Sequence, residues 1–204
     1  MKISKISQQT INRERYSIFV DDKYSFSLSE ASLLEQKLFT GQTLDINHLK
    51  ELKKISADDK AYLSTLRYAA LRSRSKWEVQ SYLKRKRVDE TLVNKILNKL
   101  SNIGLLDDET YSQAWIDSRR LLKPSSQRRL VQELRQKHVS EDIIKKVLAG
   151  SPTDEQTTIK QLILKKQRQS KYRNDKLKLI QYLARQGFNY ADIKAALSTE
   201  IEDT

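Results

Sequence analysis

Little in this 204-residue chain could do bond-making chemistry. Cysteine is absent, which excludes disulfides, iron–sulfur ligation and a thiol nucleophile. His48 and His138 are the only histidines and stand far apart. Four scattered glycines make no phosphate-cradling loop. Asp58-Asp59 and Asp107-Asp108 have the chemistry of metal or acid–base carboxylates. Each pair precedes an apolar periodic stretch, where a carboxylate caps a helix instead. With no nucleophile–base pair, the chain reads as a non-enzyme needing no cofactor and no metal.

The residues that stand out are basic. Lys+Arg number 39 against 26 Asp+Glu, a formal charge of +13. The surplus is unevenly placed: residues 58–106 carry 11 basic and 5 acidic groups, residues 1–57 carry 9 and 7. Lys84, Arg85, Lys86 and Arg87 are consecutive, and Arg135 and Lys137 fall in the same register further on. Arg72, Arg74 and Lys76 form a second set, followed by Arg119, Arg120, Lys123, Arg128 and Arg129, then Lys165, Lys166, Arg168, Lys171 and Arg173. Lysine or arginine near a helix C-terminus offsets the dipole by ~0.3–1 kcal/mol, which explains one or two per helix but not four in a row. Such clusters suit a polyanion or an acidic protein surface. Solubility alone is the plainer alternative. Of the two tryptophans, Trp115 lies four residues after Tyr111, a core spacing, whereas Trp77, flanked by Arg74 and Lys76, suits either a core staple or a stacking platform.

The elements that position these residues repeat. Leu83, Leu134 and Leu183 align, fifty-one and forty-nine residues apart. Eight positions earlier stand the N-cap types Ser75, Ser126 and Asp175, and four earlier stand Val79, Leu130 and Leu179. Ser75 with Glu78 makes a capping box. Five positions later come Val88, Val139 and Phe188, then the caps Asp89, Ser140 and Asn189, then Val93, Ile144 and Ile193, and Leu97, Leu148 and Leu197. Arg87, His138 and Gly187 share the column that ends the middle helix. Leading helices start at Ser56-Ala-Asp-Asp59, at Asp107-Asp108-Glu109, and at Thr153-Asp-Glu-Gln156, the last a second capping box. The spacing predicts three tandem three-helix repeats, 56–105, 106–150 and 151–199, stacked into an elongated array around a continuous core, with 200–204 a frayed tail. Pro152, Gly104, Gly150 and Gly187 read as punctuation.

Residues 1–55 differ. Arg15–Val20 and Tyr24–Leu28 around Asp21-Asp22-Lys23 predict a β-hairpin, with Tyr24, Phe26 and Leu28 on one face, and Ile3–Ile6 as a third short strand. Ser29 caps a helix to about Phe39 closed by Gly41, and Asp45 caps another through Lys54. The fold class is therefore all-α, with a small N-terminal β-hairpin and helical extension. No segment approaches the ~20 apolar residues of a membrane span, and Met1-Lys2-Ile3-Ser4-Lys5 has no apolar signal core, so a cytoplasmic monomer with no membrane partner is expected.

Several segments together resemble the bacterial RecX family: Arg72-Ser-Arg74-Ser75-Lys-Trp-Glu78 and Leu83, Ile103-Gly104-Leu105-Leu106-Asp107-Asp108-Glu109-Thr110-Tyr111, Arg119-Arg120, and Glu133-Leu134-Arg-Gln-Lys137. The N-terminal hairpin resembles the extension of members from Gram-positive bacteria. The resemblance implies three three-helix repeats, no catalytic residue and no cofactor. It implies a partner, the RecA filament, bound in its groove, with inhibition of ATP turnover, strand exchange and coprotease activity. It implies a place in DNA recombination, DNA repair and the SOS response, and direct contact with single- or double-stranded DNA in some members. The second repeat departs from the family pattern, having Lys123-Pro-Ser-Ser126 before its middle helix and His138 where Gly is usual. Which basic residues meet RecA does not follow from the motifs. A stand-alone, non-sequence-specific DNA-binding protein is the alternative.

Overall fold

A computed structural model of the chain describes residues 1–151, 154–173 and 175–202, with side chains through residue 198. Pro152 and Thr153, read above as punctuation and as half of a capping box, lie outside the described residues. So do residues 203–204 of the expected tail, whose start at 200–202 is the end of a helix.

The first three elements are β1 (Ile3–Gln8), β2 (Arg15–Val20) and β3 (Lys23–Ser29), an antiparallel sheet in sequence order. Asp21 and Asp22 link β2 to β3 with φ of 48° and 63°, the left-handed pair that a two-residue hairpin loop requires. The strict alternation expected of β3 breaks at one point. Ile18 pairs with Phe26 and Phe19 with Tyr24, so Ser25 is an extra residue, a bulge. Phe26 and Leu28 are buried, but Tyr24 is turned outward against the edge of Phe19.

Ser29 caps α1 (Glu30–Glu35) by accepting from Ser32 N at 3.2 Å. The helix stops short of Phe39 because Lys37 turns left-handed (φ 48°) and Leu38 folds into the sheet core beside Ile3, Ile18, Leu28 and Leu52. Asp45 then caps α2, a single helix over Ile46–Ala70. The separate helix start expected at Ser56–Asp59 is absent. No Gly or Pro interrupts this stretch, and its polar side chains turn toward β3 instead of capping. Ser56 Oγ donates to Ser27 O (2.6 Å), and Asp59 accepts Ser29 N (2.6 Å) and pairs with the buried Arg15 (3.0 Å).

The helices after α2 are α3 (Lys76–Arg85), α4 (Glu90–Asn102), α5 (Asp108–Leu122), α6 (Gln127–Gln136), α7 (Glu141–Ala149), α8 (Glu155–Gln167), α9 (Ser170–Arg173), α10 (Lys176–Arg185) and α11 (Tyr190–Glu202). Three-helix grouping holds, with the short α9 as an addition in the third repeat. The aligned apolar columns are interior: Val79, Leu130 and Leu179, then Leu83, Leu134 and Leu183, then Val93, Ile144 and Ile193 are all buried. The caps recur as well. Ser75 and Glu78 exchange the two bonds of a capping box, Ser126 accepts from Arg129 N, and Asp175 accepts from Lys178 N. In the third repeat the leading cap is Asp154, which accepts from Thr157 N. The second and third repeats have separate apolar clusters, one around Ile116, Leu134 and Ile144, the other around Ile163, Leu183 and Ile193, in place of the continuous core expected.

The reason is the polar joint between them. Ser126 N, at the start of α6, donates to Gln186 O at the end of α10 (3.2 Å), and the Arg129 guanidinium donates to Arg185 O. The same joint occurs one repeat earlier, where Ser75 Oγ donates to Lys137 O at the end of α6 (3.0 Å). Middle helices thus meet N-terminus to C-terminus, and orphan groups at one helix end satisfy those at the next. Two compact units result. One holds Met1–Ser73 and Val79–Leu105; the other holds Arg74–Glu78 and the chain from Leu106 on.

Candidate functional site: basic and aromatic clusters at helix ends

The structure sorts the basic candidates by what they already hold. Several are spent on internal pairs. Glu133 accepts from Arg119 Nε (2.8 Å), Arg129 Nε (3.3 Å) and Trp115 Nε1 (3.0 Å). Lys137 pairs with Glu78 at 3.3 Å, Arg135 holds Glu141 through two bonds, and Arg120 donates to Ser151 O. Lys76 faces Asp107 and Asp108. Others make no ion pair with a carboxylate among the described residues: Lys84, Arg85, Lys86, Arg87, Arg128, Lys165, Lys166, Arg168, Lys171 and Arg173. Arg72 and Lys84–Arg87 lie in the first unit, and Arg74, Lys76 and the remaining candidates in the second. All four residues of 84–87 are exposed.

Lys84 and Arg85 close α3, while Lys165 and Lys166 close α8, so both sets sit where the helix dipole favours cations. Arg87 occupies the left-handed column with φ 57°, as do His138 (55°) and Gly187 (92°). Turning left-handed there lets this residue and the next donate back to the last turn, as Arg87 N does to Lys84 O (2.9 Å) and Val88 N to Leu83 O (3.2 Å), and aims the next residue inward. Only Gly187 must be glycine for space. A Cβ there would stand 2.4 Å from Ser126 Oγ.

Aromatic rings accompany the cations, a feature that basic-residue counting missed. Tyr68 and Tyr82 stack at 4.1 Å with Lys86 over Tyr82. Trp115 lies between Arg119 (4.7 Å) and Lys137 (5.4 Å). Lys166 sits over Tyr182 (4.5 Å) and Tyr172 (5.4 Å). Each ring is half-buried. Trp115 is therefore a core-edge residue with its indole N–H committed, and Trp77 stacks on His138 at 4.3 Å. The available signal was the alignment itself: Tyr82 and Tyr182 stand in one column, immediately before Leu83 and Leu183, where the second repeat has Glu133.

The acidic pairs do no acid–base work. Asp107 caps α5, and its hydrogen bond from the Thr110 hydroxyl holds its carboxyl below the usual carboxylate range. Asp108 is buried, which pushes its carboxyl up, and it accepts Lys76 N at the start of α3 (2.8 Å). Among the described residues no cluster of His, Asp or Glu could hold a metal ion, and no helix is long and apolar enough to cross a membrane.

Comparison with known proteins decides the family. Four family models match in chain order: the regulatory protein RecX N-terminal domain over residues 1–45, then the first (61–100), second (107–148) and third (153–197) RecX three-helix domains. The chain belongs to the RecX family. The regulatory protein RecX of Halalkalibacterium halodurans is 33% identical over 188 residues, covering 90% of this chain and 71% of that protein. That of Bacillus subtilis is 30% identical over 199 residues, 96% and 75% of the two chains. A crystal structure of regulatory protein RecX superposes with a TM-score of 0.73 at 30% identity, covering 95% and 98%. The RecX fold recurs in the crystal structure of RecX from Lactobacillus salivarius, with a TM-score of 0.59 at 23% identity over 70% and 95%. RecX membership places the chain among regulatory proteins and not among enzymes.

Proposed function

We propose that this chain is a cytoplasmic, monomeric negative modulator of the RecA recombinase. It engages the groove of the RecA–DNA filament and lowers ATP turnover, strand exchange and coprotease activity, with a place in DNA recombination, repair and the SOS response. One observation carries the reading: in a chain of the RecX family, four consecutive exposed cations, Lys84–Arg87, close the middle helix of the first repeat, and Lys165 and Lys166 close the leading helix of the third, with no ion pair to a carboxylate among the described residues. A partner with its own repeat can meet such groups several at a time, and many modest contacts then add up. Binding that differs between filament states shifts the filament toward inactive forms.

The test is RecA-dependent ATP hydrolysis on single-stranded DNA with substoichiometric chain added. Inhibition is expected, and no effect or stimulation would overturn the reading. Replacing Lys84, Arg85, Lys86 and Arg87 together by Gln should weaken inhibition while leaving the chain folded, because no ion pair among the described residues is lost.

A second reading has an observation of its own. Lysine placed over tyrosine in the first and third repeats also suits direct binding of DNA without RecA. It requires affinity for free DNA that falls with salt, by roughly 0.7–0.9 logarithmic units per phosphate neutralised. Absence of binding at low salt would remove it.

A further inference from the structure

The repeats make two joints between middle helices, and one joint lacks what fills the other. At the first joint the Trp77 ring stacks on His138 at 4.3 Å. The aligned positions at the second joint are Arg128 and Gly187. Beside them lies a cavity of about 430 Å³, lined among others by Arg128, Gln132, Glu133, Arg185, Gly187 and Phe188; the flank of Gly187 itself is filled by Ser126 Oγ and Arg129 Cβ. That volume is in the range of small-molecule sites.

The lining has a definite chemistry. Its walls are mainly polar. Arg128 and Arg185 find no carboxylate among the described residues; the one bond of Arg185's guanidinium, from Nε, goes to Gln181 O (3.3 Å) within its own helix. Glu133 already accepts from Arg119, Arg129 and Trp115. The cavity therefore offers two guanidiniums suited to a phosphate and, in Gln132 and Gln136, amides that can donate to and accept from a base edge.

We propose that this cavity binds a nucleotide, with its phosphate on Arg128 and Arg185 and its planar base against the amides of Gln132 and Gln136. The same chemistry is offered by a free nucleotide and by one residue of a single strand. The proposal does not rest on the RecA reading, since its test contains no RecA.

The experiment is amide NMR on the full chain, following Arg128, Gly187 and Phe188. The probes are deoxyadenosine monophosphate, deoxyadenosine, deoxyribose 5-phosphate and a five-residue deoxyadenosine oligonucleotide. Saturable shifts are expected with the monophosphate, and at least about tenfold weaker binding for the probe lacking base or phosphate. An oligonucleotide tighter than the monophosphate assigns the site to a strand; equal or weaker binding assigns it to a free nucleotide. Arg128→Trp restores the aromatic of the first joint at an exposed position and should abolish these shifts. Arg185→Gln should weaken the phosphate-bearing probes and spare deoxyadenosine. Two results would overturn the proposal: no saturable shift at these amides, or deoxyribose 5-phosphate binding as well as the monophosphate. Binding that survives Arg128→Trp would also place the ligand elsewhere.

Discussion

Arg15 and Asp59 offer a measurement of what joins the sheet to α2. Both side chains are 8% exposed, and Nη1 lies 3.0 Å from Oδ2. Arg15 Nη2 also donates to Ser27 O (2.6 Å) and Ser27 Oγ (3.0 Å). Replacing Arg15 by Met removes these bonds at similar length. Ser27 O keeps the hydroxyl of Ser56, so the main loss is the charge opposite Asp59. That carboxylate is left with Ser29 N and Ser32 Oγ in a site closed to water. Breaking a buried pair in this way costs about 3–5 kcal/mol, while replacing both partners by apolar groups is often close to neutral. Arg15→Met and Asp59→Leu should each destabilise by about that amount, and the double variant by far less than their sum. Urea unfolding followed by circular dichroism gives the totals. Hydrogen exchange at the β2 and β3 amides shows whether the loss is at the sheet. Single variants within about 0.5 kcal/mol of the parent, the usual range for surface substitutions, would refute the reasoning. So would a double variant as unstable as the sum.

Other consequences follow from the helix ends. Gly187→Ala should destabilise by more than the ~1–2 kcal/mol of a left-handed alanine, because its Cβ also meets Ser126 Oγ; urea midpoints check this. Arg87→Gly relieves the same strain with no ion pair lost and should raise stability by up to about 1 kcal/mol. Asp89, Asp107, Asp154 and Asp175 have carboxyls lowered chiefly by hydrogen bonds from Thr91, Thr110, Thr157 and Lys178. Their stabilisation is present above the unfolded carboxyl value near 3.9 and is lost as pH falls through the lower folded values, which acid melts will record. Asp108 runs the other way, being raised by burial, so it favours the fold more as pH falls through its raised value. Asp108→Asn keeps an acceptor for Lys76 N and should be no less stable at pH 7, whereas Asp108→Ala orphans that N–H at a cost of about 1–3 kcal/mol.

The repeat was legible because three independent signals share its period: N-cap residues, buried aliphatics and helix-ending residues. Leu83, Leu134 and Leu183 and the caps Ser75, Ser126 and Asp175 needed only local rules. Pairings across the chain were not legible. Asp59 reads as a cap until a buried guanidinium forty-four positions away is known to require it. The alternation of Tyr24, Phe26 and Leu28 is sound as a pattern, but a bulge is a register event between two strands and leaves no mark on one. The basic residues were found by type, while their availability depended on where Glu78, Glu133 and Glu141 lie. The aromatic partners were hidden for the opposite reason, since tyrosine at half-buried positions is ordinary until a lysine lies over it.

The joint between α3 and α6 also bears on how the chain is made. Ser75 and its acceptor, the carbonyl of Lys137, are 62 residues apart. At translation rates of about 5–20 residues per second, the acceptor is synthesised roughly 3–12 s after the serine. During that interval the first turn of α3 has its own capping box and, once Asp108 is made, that carboxylate to hold it. α6 meets the same delay at its own start, where Ser126 waits for the carbonyl of Gln186. The first and second repeats therefore leave the ribosome with the start of the middle helix unfinished, and the next repeat completes it.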